Sequence, residues 1–224
     1  MKFSDRILKQ ASLSVIATLF FLQAQAQSNP LFLHLHDKMV ETNKYSEVVD
    51  GSAYFNENWL DAAVMLNNNV LIENVKLRID LLANEIHYLD SAGKEMISTQ
   101  PIKSIIFKNS ANDTSAVFVS GLVFPENKLI DAKSFMQLLS KGKASLVKQY
   151  EKKITEQKGY ASATVEKKIS TEVKYFVWHN NSFTRVKNIQ EIADALQDPK
   201  LAAGKKNSKS EADLKATVDA FNKL

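Results

Sequence analysis

Cysteine is absent from all 224 residues. The fold therefore holds no disulfide, uses no thiol nucleophile and cannot carry a lipid on an N-terminal cysteine. Histidine is scarce, with four residues, and the signatures of common catalytic sites are missing. There is no Gly-x-Ser-x-Gly elbow, no glycine-rich phosphate loop and no His-Glu-x-x-His pair. Long apolar runs are missing as well. The most apolar stretch, Ala11 to Leu22, is interrupted by Ser12, Ser14 and Thr18 and falls short of the roughly 20 apolar residues that a spanning helix needs.

That short run lies in an N-terminal segment with the layout of an export signal. Lys2, Arg6 and Lys9 make a basic start, the apolar run follows, and Ala24-Gln25-Ala26 offers a small-x-small cleavage site. The expectation is a signal peptide over 1–26, a mature chain from Gln27 with no membrane span, and a periplasmic or extracellular location. Cleavage removes three of the 29 Lys+Arg and one of the 25 Asp+Glu, leaving a net charge of +2. So small an excess gives no field that would draw nucleic acid.

Residues 27–50 read as an N-terminal arm. From Gly51 the pattern has period two. Val75, Leu77, Ile79 and Leu81 alternate with Lys76, Arg78 and Asp80, which predicts a strand with one dry face and puts Lys76 and Arg78 on a wet one. Turn signals punctuate the rest: Asn67 to Asn69, Asp90 to Gly93, Asn109 to Asp113, Ser140 to Lys143 and His179 to Ser182. They predict hairpins between 62–66 and 70–72, 85–89 and 96–98, 102–107 and 116–123, 135–139 and 144–150, and 173–178 and 183–186; against the fourth stands a continuous helix, which Met136, Leu138 and Leu139 would also permit but Gly142 disfavours. The polar stretch 151–174 reads as a long hairpin arm or a loop. Beyond it, Asn188 with Glu191 forms a capping box for a helix whose Ile189, Ile192, Ala193 and Leu196 share one face and which Pro199 ends. Ser210 with Asp213 opens a last helix with Leu214, Val218 and Phe221 aligned. The fold class is thus α+β: a mostly antiparallel meander sheet over 51–187, curled into a half-barrel or paired as a sandwich, with a helical segment over 188–224.

The run from Gly51 to Trp59 (GSAYFNENW), the strand from Asn74 to Asp80 (NVKLRID) and the strand from Ile102 to Phe107 (IKSIIF) together resemble a family of uncharacterised exported proteins of the Bacteroidota. The turn from Leu139 to Lys143 and the terminus from Val218 to Leu224 resemble that family's second half. Ile79 stands where an aromatic is usual, and Ala62 where a glycine is usual. The resemblance implies export and a sheet-rich fold but no activity. It also implies O-glycosylation at Ser91 in Asp90-Ser91-Ala92, against which stands a plain hairpin loop.

Candidate chemistry is thin. His34 and His36 alternate on a strand with Asp37 beside them, a weak metal candidate, against which stands a solvated arm. His87 with Glu85 offers a base and its orienter, against which stands an exposed charge pair. Tyr54, Trp59 and Trp178 offer aromatic surface for a small molecule, glycan or lipid. No cofactor is implied. The reading that follows is an exported, non-catalytic binding or envelope-interaction protein. Its rivals are a hydrolase-like or metal-assisted enzyme using His34, His36 or His87, and a structural partner that pairs through an edge strand. All of this rests on a shared dry interior, with no cleft stocked with reactive groups.

Overall fold

A computed structural model describes residues 37–41, 44–90, 92–120, 134–158 and 165–224. The expected signal segment, His34, His36 and Ser91 lie outside the described residues.

The period-two alternation becomes one large sheet. Its strands are β1 (Lys38–Met39), β2 (Val48–Asp50), β3 (Leu60–Leu66), β4 (Leu71–Asp80), β5 (Glu85–Leu89), β6 (Glu95–Ile97), β7 (Ile102–Lys108), β8 (Thr114–Val119), β9 (Met136–Ser140), β10 (Ser145–Lys158), β11 (Val165–His179) and β12 (Ser182–Val186). The order across the sheet is β1-β6-β5-β4-β3-β7-β8-β9-β10-β11-β12, with β2 alongside β11. Neighbours run antiparallel except β2 and β11, which are parallel. Turn residues with positive φ reverse the chain where the asparagines and Gly93 predict it, including Asn69, Asn112, Asn180 and Asn181. Asn74, also at positive φ, sits inside β4 near a register shift against β3. Val70 to Ile72 and Val75 to Leu81, read as two pieces, therefore belong largely to one strand with an irregularity between them.

The dry face carries Val75, Leu77, Ile79, Ile86, Ile105, Phe107 and Phe118, all buried. Burying each such side chain contributes about 1.5–3 kcal/mol. Two helices follow the sheet, α1 (Ile189–Ala195) and α2 (Glu211–Asn222), with a 3-10 turn (Pro199–Ala202) between them. Ile189, Ile192, Ala193, Leu196, Leu214 and Val218 pack on Ala144, Leu146, Val177 and Val186 of the sheet. Asn188 caps α1 by accepting from the Glu191 amide, while the Glu191 carboxylate accepts from the Lys187 amide. Pro199 does not end this helix. Gln197, at φ 57, has already left it, and Pro199 instead opens the 3-10 turn, where its fixed φ fits a first turn. No helix among the described residues is long and apolar enough to cross a membrane.

The segment 44–59 straps across this framework. Asp50 pairs with Lys168 of β11, whereas Tyr54 bridges to Asp80 of β4. The Phe55 amide donates to Ile79 O and the Leu81 amide to Ala53 O, both at 2.9 Å. Lys152 Nζ donates to Ser52 O and Tyr54 O at 2.7 and 2.9 Å. Gly51 is obligatory here: its φ is +83, and a Cβ would lie 2.1 Å from Ile169 O. Phe55 then drops onto Phe107, Phe118 and Tyr150, with ring centroids 4.7 to 5.9 Å away.

Candidate functional site: a charge network under an aromatic strap

The register of β4 on β5 sets Arg78 opposite His87 and Asp80 opposite Glu85. Because side chains alternate across a strand, these four project from the face opposite Leu77, Ile79 and Ile86. Glu95 of β6 completes the group. Its Oε1 lies 2.6 Å from His87 Nδ1 and accepts from Arg78 at 2.6 Å. On the other side of the imidazole, Nε2 is 3.4 Å from Glu85 Oε2 and 4.0 Å from Asp80 Oδ2. Asp80 Oδ1 accepts from the Leu82 and Ala83 amides, tying the β4–β5 turn to the same carboxylate.

The strap closes over this quartet and supplies its counter-charge. Lys44 Nζ lies 3.1 Å from Asp80 and 2.5 Å from Glu85, and the Tyr45 hydroxyl donates to Asp80 at 2.5 Å. Tyr54 lies over the Arg78 guanidinium at 4.0 Å and Trp59 at 4.6 Å, so the cation is held between two aromatic faces. Tyr54 also meets the His87 ring edge-on at 5.5 Å. Asp80 and His87 are both 0% exposed. Arg78 Nε is the one buried side-chain polar atom left without a partner among the described residues.

Environment moves several of these groups. Burial pulls the Lys44 ammonium down, but the hydrogen bonds to Glu85 and Asp80 outweigh it and raise it above 10.5. Burial and the bond to Asp80 raise the Tyr45 hydroxyl, and burial raises that of Tyr54. Glu95 is pushed up by burial and pulled down harder by its bonds to Arg78 and His87, ending below its ordinary 4.5. Asp80, Glu85 and His87 place ligand-type atoms within 4.8 Å of one another. Lys44 already provides the positive charge between two of them. The arrangement is a network of three carboxylates and two cations in which each His87 nitrogen faces a carboxylate.

Above it opens a cleft of about 570 Å³, whose lining includes Met39, Val40, Lys44, Tyr45, Tyr54, Arg78, Lys94 and Glu95. Tyrosine rings, two apolar side chains and charges of both signs converge there, the mixture by which pockets orient small polar ligands.

Three sequence expectations change here. Lys76 is wet, with 58% of its side chain exposed and paired to Asp61. Arg78, expected beside it on a wet face, is only 16% exposed because Tyr54 and Trp59 cover it. The His87 and Glu85 pair is no exposed charge pair, since the strap buries the imidazole. Finally, imidazole and carboxylates do gather in one place, so the expectation of no such cluster fails. Of the aromatic trio, Tyr54 and Trp59 meet over Arg78, while Trp178 lies on β11 in a separate hollow with Lys143 and Asn181. Asp37 accepts from the Tyr88 hydroxyl at 2.5 Å and from both the amide and hydroxyl of Thr99, which anchors β1. Sequence reasoning missed Lys44, Tyr45 and Glu95. The only local signal was the placement of Arg78, Asp80, Glu85 and His87 at same-face spacing on either side of a short turn.

Comparison with known protein families, with curated proteins and with solved structures finds no match to this chain.

Proposed function

We propose that the chain is an exported, non-catalytic binding module that holds a small polar ligand or an envelope partner in the cleft between Tyr45, Tyr54 and Arg78. The observation that carries this reading is the way the charged groups beneath the cleft are engaged with one another. Lys44, Tyr45 and backbone amides occupy Asp80, and Glu95 and Glu85 flank His87, so these groups are already engaged with one another and leave aromatic and charged surface facing the cleft. Export rests on the signal-like residues 1–26 and on the resemblance to exported proteins of the Bacteroidota.

A half-barrel form of the sheet belongs to the same proposal. Asp50 touches β11 and Tyr54 touches β4, and four residues of chain span at most about 14 Å. Five strands separate β4 from β11 in the sheet order, which laid flat would hold them roughly 29 Å apart. Such a short strap favours a strongly coiled sheet with Phe55 inside the curl.

The test is mass spectrometry of whatever co-purifies with the natively exported protein, compared with Tyr54→Ala. A bound species lost in the variant supports the reading. A chain that carries nothing in either form, or the same species in both, overturns it. A second reading, a hydrolase-like enzyme, is favoured by the 2.6 Å approach of His87 to Glu95. It requires turnover of an ester, peptide or glycoside that Glu95→Gln abolishes.

A further inference from the structure

The hollow beside Trp178 lies at the tips of two hairpins, β9–β10 and β11–β12, away from the residues that line the Arg78 cleft. It measures about 210 Å³ and is lined by Gly142, Lys143, Ser145, Trp178, His179, Asn180 and Asn181. Trp178 is 44% exposed, a large indole left facing solvent. It stands opposite Ser145 and Phe183 in the register, and Phe183 stacks on Phe176 at 4.6 Å with a 9° tilt. The register thus puts Trp178 on the same sheet face as this aromatic pair.

The rim is held still. Asn222 of α2 clamps the β9–β10 turn, accepting from the Ala144 amide at 2.8 Å and donating to Ala144 O at 3.0 Å. Gly142 lies so close that a Cβ would sit 2.4 Å from Asn222 Cγ. His179 Nδ1 is 3.2 Å from Lys143 O, and its ring meets Phe221 edge-on at 5.1 Å. Asn180 and Asn181 take φ of 49 and 59, which fixes the two-residue turn. Around the indole, the side chains of Lys143, Ser145, Asn180 and Asn181 make no hydrogen bond or ion pair among the described residues.

We propose that Trp178 is the platform of a saccharide-binding subsite, in which the C–H face of a pyranose ring lies flat on the indole while Lys143, Asn180 and Asn181 bond its hydroxyls. The negative π face of indole attracts polarised C–H groups, and amide and ammonium groups supply donors and an acceptor to an OH-rich edge. The hollow suits a single ring, so adjoining rings of an oligosaccharide extend over the open surface. This inference does not rest on the Arg78 cleft.

Trp59 and Trp178 are the only two tryptophans, so Trp59→Phe leaves Trp178 as the sole indole. Its fluorescence is followed while maltotriose, cellotriose and chitotriose are added separately, and calorimetry repeats each titration on the native chain and on Trp178→Ala. The expected result is a saturable response to at least one trisaccharide, with affinity at least tenfold weaker in Trp178→Ala. Asn180→Gly and Asn181→Gly, which keep the turn, each weaken it by roughly threefold or more. Tyr54→Ala leaves it unchanged, which separates this subsite from the cleft. Responses that stay linear with all three sugars overturn the proposal, as do heats unaltered in Trp178→Ala. A shift produced only by vesicles of phosphatidylethanolamine and phosphatidylglycerol overturns it in favour of a lipid surface.

Discussion

Lys44 holds apart two carboxylates that would otherwise face each other with no cation between them. Lys44→Ala is expected to destabilise the chain by about 2 kcal/mol, less than a fully buried pair because the ammonium is partly exposed. The urea midpoint measures it. Gly51 makes a sharper case, since Gly51→Ala demands both a positive φ and a backbone overlap with Ile169 O. A loss of at least about 2 kcal/mol is expected, read from the same unfolding curves. At this scale the sequence was only partly legible. The alternation that set Arg78 across the strand from Leu77 was visible, yet whether that face is wet depends on Tyr54 and Trp59. Those rings arrive from about twenty residues upstream, and nothing near Arg78 announces them.

Elements were easier to read than their covering. The hairpins around Asn67 to Asn69, Asp90 to Gly93 and His179 to Ser182 form where turn chemistry dictates, because a positive-φ residue between two alternating runs leaves few other solutions. The α1 cap is equally local. Asn188→Ala is expected to cost about 1 kcal/mol, visible as a lowered Tm. The strap is the opposite case: Val48 to Tyr54 has no long alternation, and its partners lie on β4 and on β11. From Gln149 onward β10 has β11 on one side and no strand on the other among the described residues. Lys153 and Lys158 place charge along that open flank, a common guard against edge-to-edge pairing. Replacing both with valine is expected to raise self-association, followed by light scattering against concentration.

For the molecule as a whole, the ion pairs set a pH window. Glu95 lies below its ordinary 4.5 in the fold, so its stabilising share is complete above that value and is lost as acid protonates it. Lys44 and Tyr45 lie above their ordinary 10.5 and 10.0, so theirs is complete below about 10 and is lost in base. From these groups, urea midpoints should fall as the pH drops below about 5 and as it rises above about 10. The absence of either limb would refute this assignment.

The parallel contact between β2 and β11 also orders events in time. A chain threaded out N-terminus first presents Val48 and Asp50 long before Lys167 and Lys168 emerge, so an early piece of the fold must wait for a late one. Chains truncated ahead of β11 should keep their hairpins yet leave the Arg78 and His87 layer uncapped, with hydrogen exchange at the β4–β5 amides as the clock.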